Sequence, residues 1–285
     1  MFRHLGAKRT YQHNVRLASL LGMTAGFVNA AGFLGFATLT TNVTGHAALF
    51  AERIALQDWT TARVVALWMF LFLAGAFFSS LIVSRIGRNS QYSYVAPILF
   101  ETAILAVVAS EGHHYNAGIV SKELFAGSLL FAMGLQNALV SMISGSVVRT
   151  THLTGTFTDL GIELAQILDK NRKDRPSLRS KINLRVIIIV FFMAGALTGA
   201  WLFRAFRFHA FLFPVALLLF TLVYDILRIK LKQYYRRAFP GAATTPDQPG
   251  PLRADGGPMK INPPDDESHP TGTDRGVPFP SPKNK

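Results

Sequence analysis

From Leu17 to Gly45 the chain carries no Asp, Glu, Lys or Arg. About 20 apolar residues suffice to cross the ~30 Å hydrocarbon layer of a bilayer, so this stretch is longer than one crossing needs. It predicts a helix over roughly 17–38 and a break across Thr40 to Thr44. Five further segments meet the length requirement or come near it: Val64–Ser84, Asn89–Ser110 (interrupted by Glu101), Leu124–Val148, Val186–Phe203 and Phe208–Tyr224. Half of the 285 residues are hydrophobic and only 16% are charged, a balance that excludes an ordinary soluble domain. The net charge of +13 comes from basic residues that flank apolar stretches rather than forming a patch with interleaved aromatics. That pattern points to a membrane and away from nucleic acid. With no cysteine, disulfides, thiolate metal sites and cysteine nucleophiles are excluded. The N-terminal residues 1–16 are too polar for a cleaved signal, so the first apolar segment is expected to be retained as its own insertion signal.

The chain also repeats itself. Gly26, Asn29 and Ala30 match Gly134, Asn137 and Ala138 at one offset, and after two inserted residues Thr40, Thr41, Thr44 and Gly45 fall on Thr150, Thr151, Thr154 and Gly155. Ala74-Gly75-Ala76 returns as Ala194-Gly195-Ala196, and Pro97 as Pro214. The reading is a transmembrane domain over 17–230 made of two copies, 17–111 and 123–230. It is flanked by the basic N-terminus 1–16 and a tail, 238–285, that holds 11 of the 14 prolines. Such a tail is expected to be disordered and cytoplasmic. With the N-terminus inside, nineteen Lys and Arg flank the spans on the inner side against five outside, so both termini are expected in the cytoplasm. Three spans per copy is an odd number, which forces the second copy to enter from the opposite side. The expected fold is all-α: a polytopic bundle of six transmembrane helices in two inverted three-helix repeats, with short broken or amphipathic helices after each Thr-Gly.

Candidate chemistry gathers at the repeated positions. The threonine hydroxyls of Thr44-Gly45 and Thr154-Gly155 are placed to cap the helix that follows, and such a start is also a positive dipole end able to hold an anion. After the second, Phe157, Leu160, Leu164, Ile167 and Leu168 form an apolar stripe opposite Asp159, Glu163 and Gln166. Asn29, Gln136 and Asn137 are amides inside apolar spans and need partners, either each other across the repeats or a solute. Glu101, near the middle of the third span, suits a proton-coupling group or a structural hydrogen-bonding one. It has no acidic counterpart in the second copy, where Leu218 stands. His46 and His152 sit beside the two Thr-Gly steps, and His113-His114 lack carboxylate neighbours at metal-binding spacing, so no metal site is expected. Walker, nucleophile-elbow, HExxH and Rossmann patterns are absent, so neither an enzyme nor a cofactor is expected.

The segments GFVNAAGF, TTNVTGH, AMGLQNALVS and RTTHLTGTFTDLG together resemble the YoaK-like family of bacterial multi-pass membrane proteins, over about residues 15 to 230. The chain departs from that family's pattern at Asn29, where the family carries an acidic residue, and at His46, where it carries Asn. The resemblance implies a bacterial inner-membrane location and a six-span plan, and it carries no molecular function. Taken with the repeats, the expected function is a secondary transporter of a small, anionic solute, with a non-transporting sensor or scaffold as the alternative. The expected partners are the lipid bilayer and that solute, with no nucleic acid; a homo-oligomer is compatible with the same pattern.

Overall fold

The computed structural model describes residues 11–87, 93–114, 119–169 and 174–238. The basic residues 1–10 and the Pro-rich tail from 239 onward lie outside them. Among the described residues every regular element is helical. The helices are α1 (Tyr11–Phe36), α2 (Val43–Ala55), α3 (Trp59–Ile86), α4 (Val95–Glu111), α5 (Ile119–Ser144), α6 (Leu153–Leu168), α7 (Arg175–Phe206) and α8 (Leu212–Ala238). The compact unit ends at Gln233.

Among the described residues five stretches are long and apolar enough to cross a membrane: Tyr11–Phe36, Trp59–Ile86, Val95–His114, Lys122–Ser144 and Arg175–Leu227. The last has 53 residues and contains α7, a 3-10 turn (Arg207–Phe211) and most of α8. Arg207, at φ 51, separates the two helices. Left-handed residues also end α1 (Ala37), α3 (Gly87) and α5 (Gly145 and Ser146), because a helix cannot continue through such a conformation. The first and fourth spans therefore stop at Phe36 and Ser144, short of the 38 and 148 read from hydropathy. In α7 the opposite happens. The helix starts at Arg175, well before Val186, because a charged segment can be helical outside the apolar layer and hydropathy does not register it. Asp58 opens α3 by accepting the Thr61 N–H at 3.1 Å. Hydrogen bonds from the Thr61 side chain and backbone hold its carboxyl below the usual carboxylate range.

Glycines decide which helices touch. A methyl at Gly26 would collide with the Phe192 carbonyl, and one at Gly134 with the Phe72 carbonyl. One at Gly195 would meet Met23, and one at Gly75 would meet Phe131. Without a hydrophobic force between helices in lipid, such small residues let backbones approach and gain van der Waals contact. The α1 positions 22, 26 and 27 meet 188, 192 and 199 of α7 in ascending order, so these two helices run parallel. Trp68 meets Lys122, Leu71 meets Gly127, and Phe72 and Ala76 meet Gly134, again in ascending order, so α3 and α5 are parallel as well. Between α1 and α5 the order reverses: Leu21 meets Gln136, Gly32 meets Leu129, and Phe36 stacks on Phe125. These two are antiparallel.

Helices α1 and α5 form the centre, with 61% of their apolar windows buried, against 22% for α3 and 28% for the α7–α8 stretch. The outer helices show their apolar side chains instead: Leu73 and Phe77 of α3 are 65% and 66% exposed, and Trp201 of α7 is 71% exposed. Contiguous apolar faces of this kind belong against lipid or another protein. Helix α6 is inverted in the same sense. Its stripe residues Phe157, Leu164 and Leu168 are exposed while Glu163 is buried, because the solvent around such a helix is hydrocarbon and the polar face turns inward.

Candidate functional site

The two Thr-rich breaks are built by the same manoeuvre. After α1 ends, the chain turns back alongside it, so that the Thr41 N–H reaches Asn29 Oδ1 at 3.1 Å. Asn29 lies seven residues before the helix end at Phe36, about 10 Å back along its axis. Thr40 packs onto Gly32 on the way, at a place where a side chain on that glycine would leave no room. After α5 the chain does the same. Gln136, eight residues before Ser144 and so about 12 Å back, donates to Thr150 Oγ1 at 3.2 Å and to the Leu21 carbonyl of α1 at 2.9 Å. Ser144 Oγ exchanges hydrogen bonds with Val148, accepting from its N–H at 3.0 Å and donating to its carbonyl at 3.1 Å. Both breaks thus return toward the middle of the bundle before a new helix starts.

The helix starts differ from the sequence expectation. Thr44 and Thr154 lie inside the first turns; the capping positions belong to Asn42 and His152. Asn42 Oδ1 accepts the Gly45 N–H at 2.9 Å, while His152 makes no side-chain cap bond. The capping residue controls its own side chain two positions ahead of the threonine, whereas a threonine already in helical conformation reaches back along the turn. Thr158, one turn on, shows this by donating to the Thr154 carbonyl at 3.0 Å. The Thr-Gly glycines have a steric role: a methyl at Gly45 would strike the Asn42 side chain, and one at Gly155 the His152 ring. His46 Nε2 stands 2.8 Å from the Leu39 carbonyl. A carbonyl only accepts, so this nitrogen carries the proton.

A cavity of about 660 Å³ lies between the two breaks. Thr41, Asn42 and Thr44 line it from the first break, Arg149, Thr151, His152 and Thr154 from the second, with Asn137 and Ser141 of α5 and Met69 to Ala76 of α3 completing the wall. Among the described residues Arg149 is the one charged residue that lines it, and no carboxylate does. The Asn137 side-chain carbonyl oxygen is buried without a hydrogen-bond partner among the described residues. A smaller cavity of about 260 Å³ adjoins, sharing Ser146, Arg149 and His152 and reaching Gly155, Thr156, Asp159 and Arg185.

Of the residues singled out in the sequence, Thr44, Asn137 and Thr154 line the larger cavity and Gly155 the smaller one. Gly45 borders a separate small cavity with Asn42 and His46. Asn29 and Gln136 hold the breaks in place and line none of these cavities. Glu101 lies in α4, 1% exposed, with both carboxyl oxygens lacking a partner among the described residues, and α4 contributes nothing to the cavity wall. Sequence reasoning counted Arg149 only as a loop charge, and it saw in Asn42-Val43-Thr44 a glycosylation pattern rather than the capping position that Asn42 occupies ahead of Thr44. It also missed Asp225, fully buried in α8, because the apolar run ends at Tyr224.

Comparison with known proteins agrees with a membrane assignment. A family described as "Protein of unknown function (DUF1275)" matches residues 17–224. The UPF0700 transmembrane protein YoaK of Bacillus subtilis (strain 168) is 25% identical over 185 residues, which cover 65% of this chain and 81% of that protein. No solved structure matches.

Proposed function

The chain belongs to the DUF1275 family of transmembrane proteins, whose function is unknown; from its own residues we propose that it is a secondary transporter of a small anionic solute. The observation that carries this reading is one cavity lined by both Thr-rich breaks, with a guanidinium and, among the described residues, no carboxylate. Helix starts carry positive dipole ends, and non-helical backbone at membrane depth is tolerated where it lines a water-filled cavity. Broken helices that meet near the midplane are how inverted-repeat transporters build solute sites. In this reading Arg149 supplies the charge complement, while the threonine hydroxyls and Asn137 orient the solute by hydrogen bonds.

The same reading takes the domain as six crossings in two inverted repeats, in the bacterial inner membrane with both termini cytoplasmic. Four facts support it: the antiparallel course of α1 and α5, the parallel pairs α1/α7 and α3/α5, the glycine contacts that match position for position between copies, and the break at Arg207. Helix axes that reverse between equivalent elements require a two-fold axis perpendicular to them, which is an axis in the membrane plane. The scaffold alternative draws on Asn29 and Gln136, whose amides are engaged within the protein.

Thermal unfolding of the purified protein against a panel of inorganic and carboxylate anions tests the proposal. A saturable rise in midpoint with one anion, lost in Arg149→Gln, is the expected result. No shift with any anion in a well-folded preparation counts for the scaffold.

A further inference from the structure

Arg185, near the start of the apolar part of α7, is bound to three points at once. Its Nη2 lies 3.1 Å from Asp159 Oδ2, while its Nε, 3.7 Å from Glu163 Oε1, meets that carboxylate by charge alone and makes no hydrogen bond among the described residues. Its Nη1 donates to the Val147 carbonyl at 3.3 Å. Asp159 and Glu163 stand one turn apart on the inward face of α6, so a single side chain ties α7 to that helix and to the break before it. Two of its three members are withdrawn from solvent, the Arg185 side chain at 19% exposed and that of Glu163 at 11%, while the Asp159 carboxylate at the cavity edge is 48% exposed. Removing one member would leave the others as poorly compensated charges. By comparison, the Arg53–Asp58 pair of the first copy is looser, 3.8 Å apart against 3.1 Å for Arg185–Asp159, and its arginine is more exposed, at 34%, the kind of surface contact that contributes little.

Two features turn this cluster from a structural detail into a device. Asp159 and Arg185 line the smaller cavity, which shares Ser146, Arg149 and His152 with the larger one, so the ion pair stands where a path would leave the solute cavity. Carrying the repeat offsets forward, Asp159, Glu163 and Arg185 correspond to Leu49, Arg53 and Val65. Leu49 and Val65 can form no such tie, so the cluster exists at one end of the pseudo-symmetric domain and not at the other.

We propose that Arg185, held by Asp159 and Glu163, is a latch that controls opening of the cavity on the side where α5 ends and α7 begins, which is cytoplasmic in the topology proposed above. The inference rests on the transporter reading for its purpose, but the movement it predicts is independent of any solute. Closed, the latch pins α6 against α7; broken, it frees α6 to swing away and widens the route past Ser146 and Arg149. Among the described residues the opposite side has no equivalent three-membered ion cluster, only the looser Arg53 pairs.

The chain contains no cysteine, which makes the test direct. Ser141→Cys puts one thiol in the cavity wall, and a membrane-impermeant maleimide added to inverted vesicles reads access from the cytoplasmic side. Arg185→Gln in this background is expected to raise the labelling rate about tenfold, between the effects of surface and buried ion pairs. The exchanged pair Arg185→Asp with Asp159→Arg is expected to bring the rate back toward the parent value, which a variant that had lost its fold or its packing would not do. Thermal unfolding of each variant in detergent checks that it is folded. An unchanged rate in folded Arg185→Gln, or an exchanged pair that labels as fast as the single variant, overturns the latch. Labelling that follows the latch in a protein that responds to no anion keeps the latch and removes the transport reading.

Discussion

The two Thr-rich breaks descend from one design and are held by different amides. In the first copy Asn29 binds the Thr41 N–H, and the neighbouring Thr40 hydroxyl is left without a partner. In the second, Gln136 binds Thr150, the equivalent of Thr40, and Asn137, the equivalent of Asn29, is left with its carbonyl oxygen unpaired against the cavity. Val28 occupies the position corresponding to Gln136, so the first copy has no second amide to use. The lesson is that the path of the chain is preserved while the fastening moves by one residue. Moving it releases one polar group into the cavity from the second copy only. The helix starts diverge in the same way: Asn42 caps α2, and His152 leaves α6 without a side-chain cap.

The packing beneath the breaks is where the copies should behave alike, and where the largest effect is expected. Gly26→Val and Gly134→Val each drive a side chain into a neighbouring helix backbone. Backbone yields less readily than side chains, so each should destabilise by the upper end of the about 1–3 kcal/mol typical of overpacking, or more. Size-exclusion and thermal unfolding in detergent read this out. A large difference between the two variants would break the equivalence of the copies.

The fastenings are where they should differ. Gln136→Leu removes two hydrogen bonds and is expected to cost about 2 kcal/mol, taking about 1 kcal/mol for each. Asn137→Leu, whose carbonyl oxygen holds nothing, should cost distinctly less while weakening any anion-dependent rise in the unfolding midpoint. Should Asn137→Leu prove as destabilising as Gln136→Leu, the division of labour between the two amides is wrong.

The smallest effects sharpen the comparison at the helix starts. Asn42→Ala removes a cap and should cost about 1 kcal/mol, whereas His152→Ala, which removes no cap bond, should be nearly neutral. His152→Asn should gain up to about 1 kcal/mol, since Gly155 leaves the space that Gly45 gives Asn42. Thermal unfolding of the three variants side by side checks the order.

The sequence by itself determined the all-helical membrane character and which stretches are apolar enough to span, because each of these is a local property. Apolar length, a repeated Thr-Gly and a run of flanking basic residues are written in neighbouring positions. It also picked out Asn137, Thr44 and Thr154, which the cavity contains. Only the tertiary structure decided what those residues do. Asn29 and Gln136 look equivalent to Asn137 along the chain, yet two of the three fasten loops and one faces the cavity, because partners supplied by distant backbone set each amide's role. Arg149 and Arg185 read as topogenic charges until the return of the second break put one in the cavity wall and the other against Asp159 and Glu163. Glu101 shows the same limit from the other side: its place in the middle of a span was legible, and its separation from the cavity was not, since which helices line a cavity depends on packing angles that no local pattern encodes.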